Sequence, residues 1–235
     1  MKRKKGILIN QPSKMTEDRG TINYRDEILR KGIHMVSLSI PIIYYFITKE
    51  LALTILIPML VFSLAIDYGR YYSKALEKLV KKFFGFLMRK HEWDKKKKNL
   101  SGATYVLVSA VFVILVFPKV LVITGFAVLI VGDIAAALIG RRYGSTKFLL
   151  KSLQGTFAFF VFSSFVVLFA PKVEGNLIEY LIGFFAVAVG AIAENVSGTW
   201  ADDNFTIPVS VCVTMWLLYI TFLPNLPLIL PNVPN

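Results

Sequence analysis

The sequence predicts an all-α integral membrane protein: a bundle of about seven transmembrane helices with one amphipathic helix in the cytosolic interface. Three observations predict it. The 235-residue chain is 55% hydrophobic, with a mean hydropathy of +0.61, too apolar for a soluble domain of this length. Its apolar runs approach the roughly 20 residues that cross a bilayer. Its net charge of +12 gathers in alternate loops instead of spreading along the chain.

Residues 1–29 read as a flexible basic cytosolic tail, opening Lys2-Arg3-Lys4-Lys5. With no apolar core, this stretch does not read as a cleavable signal peptide. Residues 30–223 read as a single polytopic membrane domain. Its first span, 33–48, is entered through Arg30-Lys31-Gly32-Ile33-His34. Lys49-Glu50 turns the chain into a second span, 51–67, ending at Asp67. The longest polar segment, 68–101, contains the amphipathic stretch 70–90. There Tyr72, Ala75, Leu76, Leu79, Phe83, Phe86 and Leu87 fall at helical spacing, while Lys74, Lys78, Lys81, Lys82 and Arg89 take other faces. Such a helix lies in the interface with its basic face towards anionic headgroups. Lys95-Lys96-Lys97-Lys98 reads as a topology and lipid-surface signal.

The third span is 102–117, and Pro118-Lys119 turns the chain into the fourth, 119–139, which carries Asp133. The fifth is 155–170. The sixth, 177–193, ends at Glu194, and Asp202-Asp203-Asn204 precedes the seventh, 205–223. The tail 224–235, with Pro224, Pro227, Pro231 and Pro234, is not a regular helix.

Orientation follows from Lys and Arg. Nine lie in residues 1–31, eleven in 68–101 and four in 140–152, against three (Lys49, Lys119, Lys172) in the opposite turns. The positive-inside rule then puts the N-terminus in the cytosol and the C-terminus outside. Arg30-Lys31, Asp67, Asp133, Glu194 and Asp202-Asp203 all fall at cytosolic ends of spans. The single cysteine, Cys212, excludes an internal disulfide and a cysteine-based metal site. Basic residues flanking spans do not form a nucleic-acid-binding domain.

The chemistry concentrates in 132–155. Asp133 lies seven residues before Gly140, so it is about 10 Å deep at 1.5 Å per residue. A carboxylate within an apolar segment is a functional-site hypothesis by default, although a structural partner for an arginine of another helix suits it too. Gly140 and Gly144 punctuate a basic loop with Arg141, Arg142, Lys147 and Lys151. Glycines allow close backbone approach or positive φ, and bare amides with positive charge suit phosphate groups. The spacing is not that of a Walker A loop. Asp202, Asp203 and Asn204 offer oxygen ligands for a hard cation such as Mg²⁺, or a cap on the last helix through Asp203 or Asn204. Glu194 suits a supporting carboxylate or a solvated helix end. Positions 30 and 34, and 31 and 34, share a helix face.

The run Asp133-x2-Ala136-x3-Gly140-x3-Gly144-x2-Lys147, then Lys151-Ser152-x-Gln154-Gly155, resembles the CTP-binding signature of the polyprenol kinase family: dolichol kinase, phytol kinase and CTP-dependent diacylglycerol kinase. Arg30-Lys31-x2-His34, Ser101-Gly102-x-Thr104-Tyr105 and Asp203-Asn204-x-Thr206-Ile207-Pro208 also resemble family motifs, in order from residue 30 to 210. The resemblance implies a membrane lipid kinase that uses CTP and Mg²⁺. Asp133, Arg30 and Lys31 would be catalytic. Gly140, Gly144, Lys147, Lys151, Ser152, Gln154, Gly155 and Asn204 would hold the nucleotide. Asp133, Asp202, Asp203 and Glu194 would hold the metal. The partners implied are a lipid alcohol, anionic headgroups and CTP, with no nucleic acid, at the cytosolic face of a membrane (in a prokaryote, the plasma membrane). Gln154 departs from the family, which often has Glu there. Phosphatidate cytidylyltransferase has a similar Gly-Asp…Lys…Glu-Gly stretch, but its Pro-Gly-His-Gly-Gly segment is absent here. A transporter would distribute polar residues around a midplane site; here they gather at one face.

Overall fold

A computed structural model describes residues 24–85, 88, 90–94, 98–198 and 201–234. The basic opening Lys2-Arg3-Lys4-Lys5, and Phe86, Leu87, Arg89 and Lys95-Lys96-Lys97, lie outside the described residues. The chain is mostly helical: α1 Tyr24–Val36, α2 Ser39–Phe46, α3 Lys49–Tyr72, α4 Lys74–Phe84, a 3₁₀ turn Lys90–Trp93, α5 Gly102–Val116, α6 Lys119–Tyr143, α7 Leu153–Phe169, α8 Leu177–Val196 and α9 Asp203–Phe222. A two-stranded hairpin, β1 Lys147–Phe148 and β2 Lys151–Ser152, joins α6 to α7.

Local chemistry sets the helix starts. Thr48 caps α3, Ser73 caps α4, Ser101 caps α5, Ser152 caps α7, Asn176 caps α8 and Asp202 caps α9, each side chain accepting from a backbone N–H of the first turn. Each such cap contributes about 1 kcal/mol. Asn176 and Glu179 form a reciprocal capping box.

Two boundaries differ from the sequence expectation. The helix entering the bundle begins at Tyr24, ahead of the expected boundary at residue 30, and it breaks at Ser37-Leu38. Pro41 explains the break. In a continuous helix it would leave the Ser37 carbonyl without a donor and crowd it. The chain restarts instead, with Pro41 in the first turn of α2, where a missing N–H is harmless. The 8 residues of α2 rise only about 12 Å. The second boundary is the end of α3, which runs on to Tyr72 before Ser73 turns the chain into α4.

Among the described residues, four helices are long and apolar enough to cross a membrane: α3, α6, α8 and α9; α5 and α7 are shorter apolar helices. Contacts at helix ends show α3 antiparallel to α5 and α8 antiparallel to α9. At one end, Asp67 of α3 accepts from Ser101 N (2.7 Å) and Thr104 Oγ1 (2.6 Å) at the start of α5. At the other, Lys49 donates to Leu115 O (2.9 Å), and Tyr219 of α9 donates to Glu179 of α8 (3.0 Å). Lys119 donates there to Ile47 O (2.8 Å) and to Pro234 O. The proline-containing tail is non-helical, as expected, and packs back on this end with Leu230 buried.

Helix α6 is the axis. It touches α1, α2, α5, α7, α8 and α9, and 67% of its apolar window is buried, against 17% for α3 on the rim. Its tightest crossing is at Gly132, where an added Cβ would meet Ser163 Oγ at 2.4 Å and the Phe159 ring at 2.6 Å. Small residues of this kind let apolar helices approach to backbone contact. Gly132→Leu is expected to destabilise the bundle by about 1–3 kcal/mol through overpacking. Thermal unfolding in detergent checks this; an unchanged midpoint would contradict the crossing.

Candidate functional site

Polar groups collect where α6 and α8 end and α7 and α9 begin. Lys31 of α1 bonds Asp133 of α6, and both are buried, at 2% and 4% exposure. A buried charge persists only with a partner. His34 lies one turn on, its Nε2 3.5 Å from Asp133 Oδ2 and without a hydrogen bond. Positions 31 and 34 therefore face α6 together. Arg30 turns elsewhere, 3.9 Å from Glu27 and 3.8 Å from Glu92.

A second cluster joins α8, α9 and the hairpin. The Lys151 ammonium bonds Glu194 and lies 3.8 Å from Asp203. Glu194 and Asp203 are buried, and Glu194 Oε2 has no hydrogen-bond partner. Asp202 is the cap of α9, where Asp203 or Asn204 was expected. Its Oδ1 accepts from Asn204 N (3.0 Å) and Asn204 Nδ2 (2.7 Å). Among the described residues, no three Asp, Glu, His or Cys side chains converge to hold a metal by themselves. Glu194 and Asp203, both beside the Lys151 ammonium and with Glu194 Oε2 buried and unpartnered, fit Mg²⁺ in its common mode. That mode uses one or two carboxylates, with substrate oxygens and water filling the remaining positions.

The glycines act differently from the sequence expectation. Gly140 is inside α6, and Gly144 ends it with φ −65°. Neither has positive φ. They serve close packing. A Cβ on Gly140 would lie 3.1 Å from Ser152 Oγ and 3.2 Å from Gly155 Cα, and one on Gly144 would lie 2.7 Å from Ser152 Oγ. The loop expected to be bare is the antiparallel hairpin, with Lys147 opposite Ser152 and Phe148 opposite Lys151. Its amides are largely taken. Ser145 N and Thr146 N donate to Gln154 Oε1 (3.2 and 3.3 Å), and Leu150 N and Lys151 N donate to Asn195 Oδ1 (2.9 and 3.1 Å). Leu153 N donates to Thr146 O (2.9 Å). What this end presents to solvent is side-chain charge: Lys147, Arg141 and Arg142 are exposed.

Gln154 is a clasp. Besides accepting two amides, its Nε2 donates to Ser145 Oγ (2.7 Å) and Thr146 Oγ1 (3.4 Å). A Glu could hold the same amides, provided both hydroxyls turned to donate. The residue therefore shapes the hairpin.

Three groups escaped the sequence reading. Asn195 is fully buried, anchors the hairpin and donates to Thr156 Oγ1 (2.6 Å). Its signal was an amide in an apolar run beside Glu194. Glu27, 1% exposed, pairs with Arg141 across 3.3 Å and ties α1 to the end of α6; it lay in a segment read as tail. Arg70, 1% exposed, pairs with Asp67 at 3.3 Å, donates to Asn99 O (2.9 Å) and sits over the Trp93 ring. The count had taken it for surface charge.

Leu38, Ile123, Ala127, Val131, Phe162 and Val166 help line an open apolar groove of about 580 Å³. Positions 123, 127 and 131 follow one face of α6. Asp133, two residues beyond Val131, falls on a different face of that helix, and Leu38 follows His34 by four residues.

Asn195→Ala is expected to cost about 1–3 kcal/mol, because it strips the acceptor from two hairpin amides. Hydrogen exchange at Leu150 and Lys151 should accelerate; unchanged protection there would refute the anchor.

No family model matches the chain, and no solved structure matches it. The chain is 28% identical over 196 residues to an uncharacterized protein of Rickettsia prowazekii (strain Madrid E), a similarity covering 83% of this chain and 95% of that protein.

Proposed function

We propose that the protein is a CTP-dependent lipid kinase of the polyprenol kinase type, a seven-pass membrane protein with its site on the cytosolic face. The observation that carries this reading is convergence. Lys31 and His34, Asp133, the basic hairpin with Lys151, Glu194 and Asp203 come from five separate stretches and meet at one end of the bundle. An apolar groove runs along α6 as far as Val131, two residues before Asp133 in the chain. A soluble nucleotide and a lipid hydroxyl can meet there.

Phosphoryl transfer asks mainly for positioning and charge stabilisation. Lys147, Arg141 and Arg142 attract the phosphate chain, and the clasped hairpin holds Lys147 in place. Glu194 and Asp203 would hold Mg²⁺, which offsets the charge of the β- and γ-phosphate oxygens when bound. The lipid body lies in the groove along α6, placing its hydroxyl at Asp133. Lys31 fixes the Asp133 carboxylate, which orients the hydroxyl and takes its proton. The hydroxyl oxygen bonds to the γ-phosphorus as the bond to the β–γ bridging oxygen breaks, giving a lipid monophosphate and CDP. The cationic face of α4, with Lys74, Lys78, Lys81 and Lys82 exposed, rests on anionic headgroups.

The test is transfer of label from γ-labelled CTP, with γ-labelled ATP in parallel, to polyprenol, dolichol, phytol, geranylgeraniol or diacylglycerol. Label in one lipid from CTP is the expected result. Pyrophosphate from CTP and phosphatidate would assign a cytidylyltransferase instead. No binding or consumption of either nucleotide by folded protein would overturn both.

Asp133→Asn is expected to abolish turnover. It also leaves Lys31 as an unpaired buried charge, a loss of about 3–5 kcal/mol. The double variant Lys31→Met/Asp133→Leu separates the two effects: stability should return and turnover should not. Lys147→Ala should raise the CTP concentration needed for half-maximal rate. Ala127→Trp, which fills the groove, should raise only the lipid requirement. Identical requirements in both variants and the parent would argue against these placements.

A further inference from the structure

Lys151 sits where a cation would. Its ammonium bonds one oxygen of Glu194 and lies 3.8 Å from Asp203, while the other Glu194 oxygen is buried without a hydrogen bond. Among the described residues, Glu194 carries one of the few buried carboxylate oxygens left in that condition. An ammonium is a compact point charge with three rotatable donors, so it can sit between two carboxylates where a hard metal ion would. It is weaker only because it brings one charge where two are accommodated.

The lysine is also built to leave. Its backbone is fixed, with Lys151 N held by Asn195 Oδ1 in the residue after Glu194. Its side chain is 24% exposed, unlike that of Lys31 at 2%. Lys151 pairs with Phe148 across the hairpin, on the strand neighbouring exposed Lys147. Rotation about the side chain alone carries the ammonium from the carboxylates to the solvent face of the hairpin.

We propose that Lys151 is a displaceable stand-in for a divalent cation at Glu194 and Asp203. In the nucleotide-free protein the ammonium offsets part of the charge of the two buried carboxylates. A divalent cation takes its place, and the released ammonium turns to the hairpin face, where an anion meets it. The anion being a nucleotide phosphate rests on the reading above; the exchange of cations does not. The device gives the site two cations for a polyphosphate only after the metal has arrived, so metal and anion bind cooperatively.

The experiment uses the full chain in detergent, without nucleotide, and Mn²⁺ as probe, followed by loss of the free-ion electron paramagnetic resonance signal. Lys151→Met is expected to bind Mn²⁺ roughly tenfold more tightly than the parent protein, since the competitor is gone. Adding Glu194→Gln to Lys151→Met should remove the gain. Equal affinity in Lys151→Met and parent, or a gain that survives Glu194→Gln, overturns the proposal. A second measurement needs no variant. Acylation of the Lys151 amine by an N-hydroxysuccinimide ester, read by mass spectrometry, should accelerate severalfold when Mn²⁺ is added, with Na⁺ at equal ionic strength as control. An unchanged rate overturns the proposal even if the variants fail to fold. Failure of phosphoryl transfer to every lipid would instead remove the kinase reading and leave the cation exchange standing.

Discussion

The pairing of Lys31 with Asp133 is the constraint on which the arrangement of this end depends. Neither charge would persist alone in a bundle this apolar, so α1 has to lie against α6 at that depth. Once it does, His34 falls beside the same carboxylate and Glu27 reaches Arg141. The break at Ser37-Leu38 then lets α2 follow a separate course along α6. One electrostatic contact thus fixes where a polar entrance meets an apolar wall.

The hairpin between α6 and α7 solves a different problem. Phosphate-binding loops of the glycine-rich kind present backbone amides to their ligand. Here most of those amides are held by Gln154 and Asn195, and the glycines close the helix crossing beneath. Rigidity comes from the two clasping amide side chains, and the charge this end presents to solvent is carried by cations on flexible stems. Exposed charge of that kind is screened by salt more than a buried pair is.

Much of the fold was legible because apolar length is a local property: six of the expected spans coincide with observed helices, although α3 runs on to Tyr72 and, among the described residues, four helices are long and apolar enough to cross a membrane. The first did not, because the run 33–48 is apolar throughout and only Pro41 signals the break. Asp133, Lys151, Glu194 and Asp203 were legible as chemistry-bearing residues, being polar groups at the edges of apolar runs. Their pairings were not, because Lys31 with Asp133 and Lys151 with Asp203 join residues far apart in the chain. Of the two roles open to Gly140 and Gly144, close backbone approach to a ligand or positive φ, the second is absent from both. Sequence shows that a side chain is missing; only the neighbouring helix shows why. Glu27 and Arg70 were hidden in polar segments, where nothing in composition separates a solvated charge from a buried pair.

At the opposite end, Lys119 gathers the carbonyls of Ile47 and Pro234, and Leu230 is buried beneath them. The C-terminal segment is thus a structural brace, although it carries no helix. Affinity tags, fluorescent reporters and topology-mapping fusions attached there would pull on the joint between α2 and α6. A purification handle or reporter belongs at the other terminus, ahead of Tyr24, where the described contacts leave the brace intact.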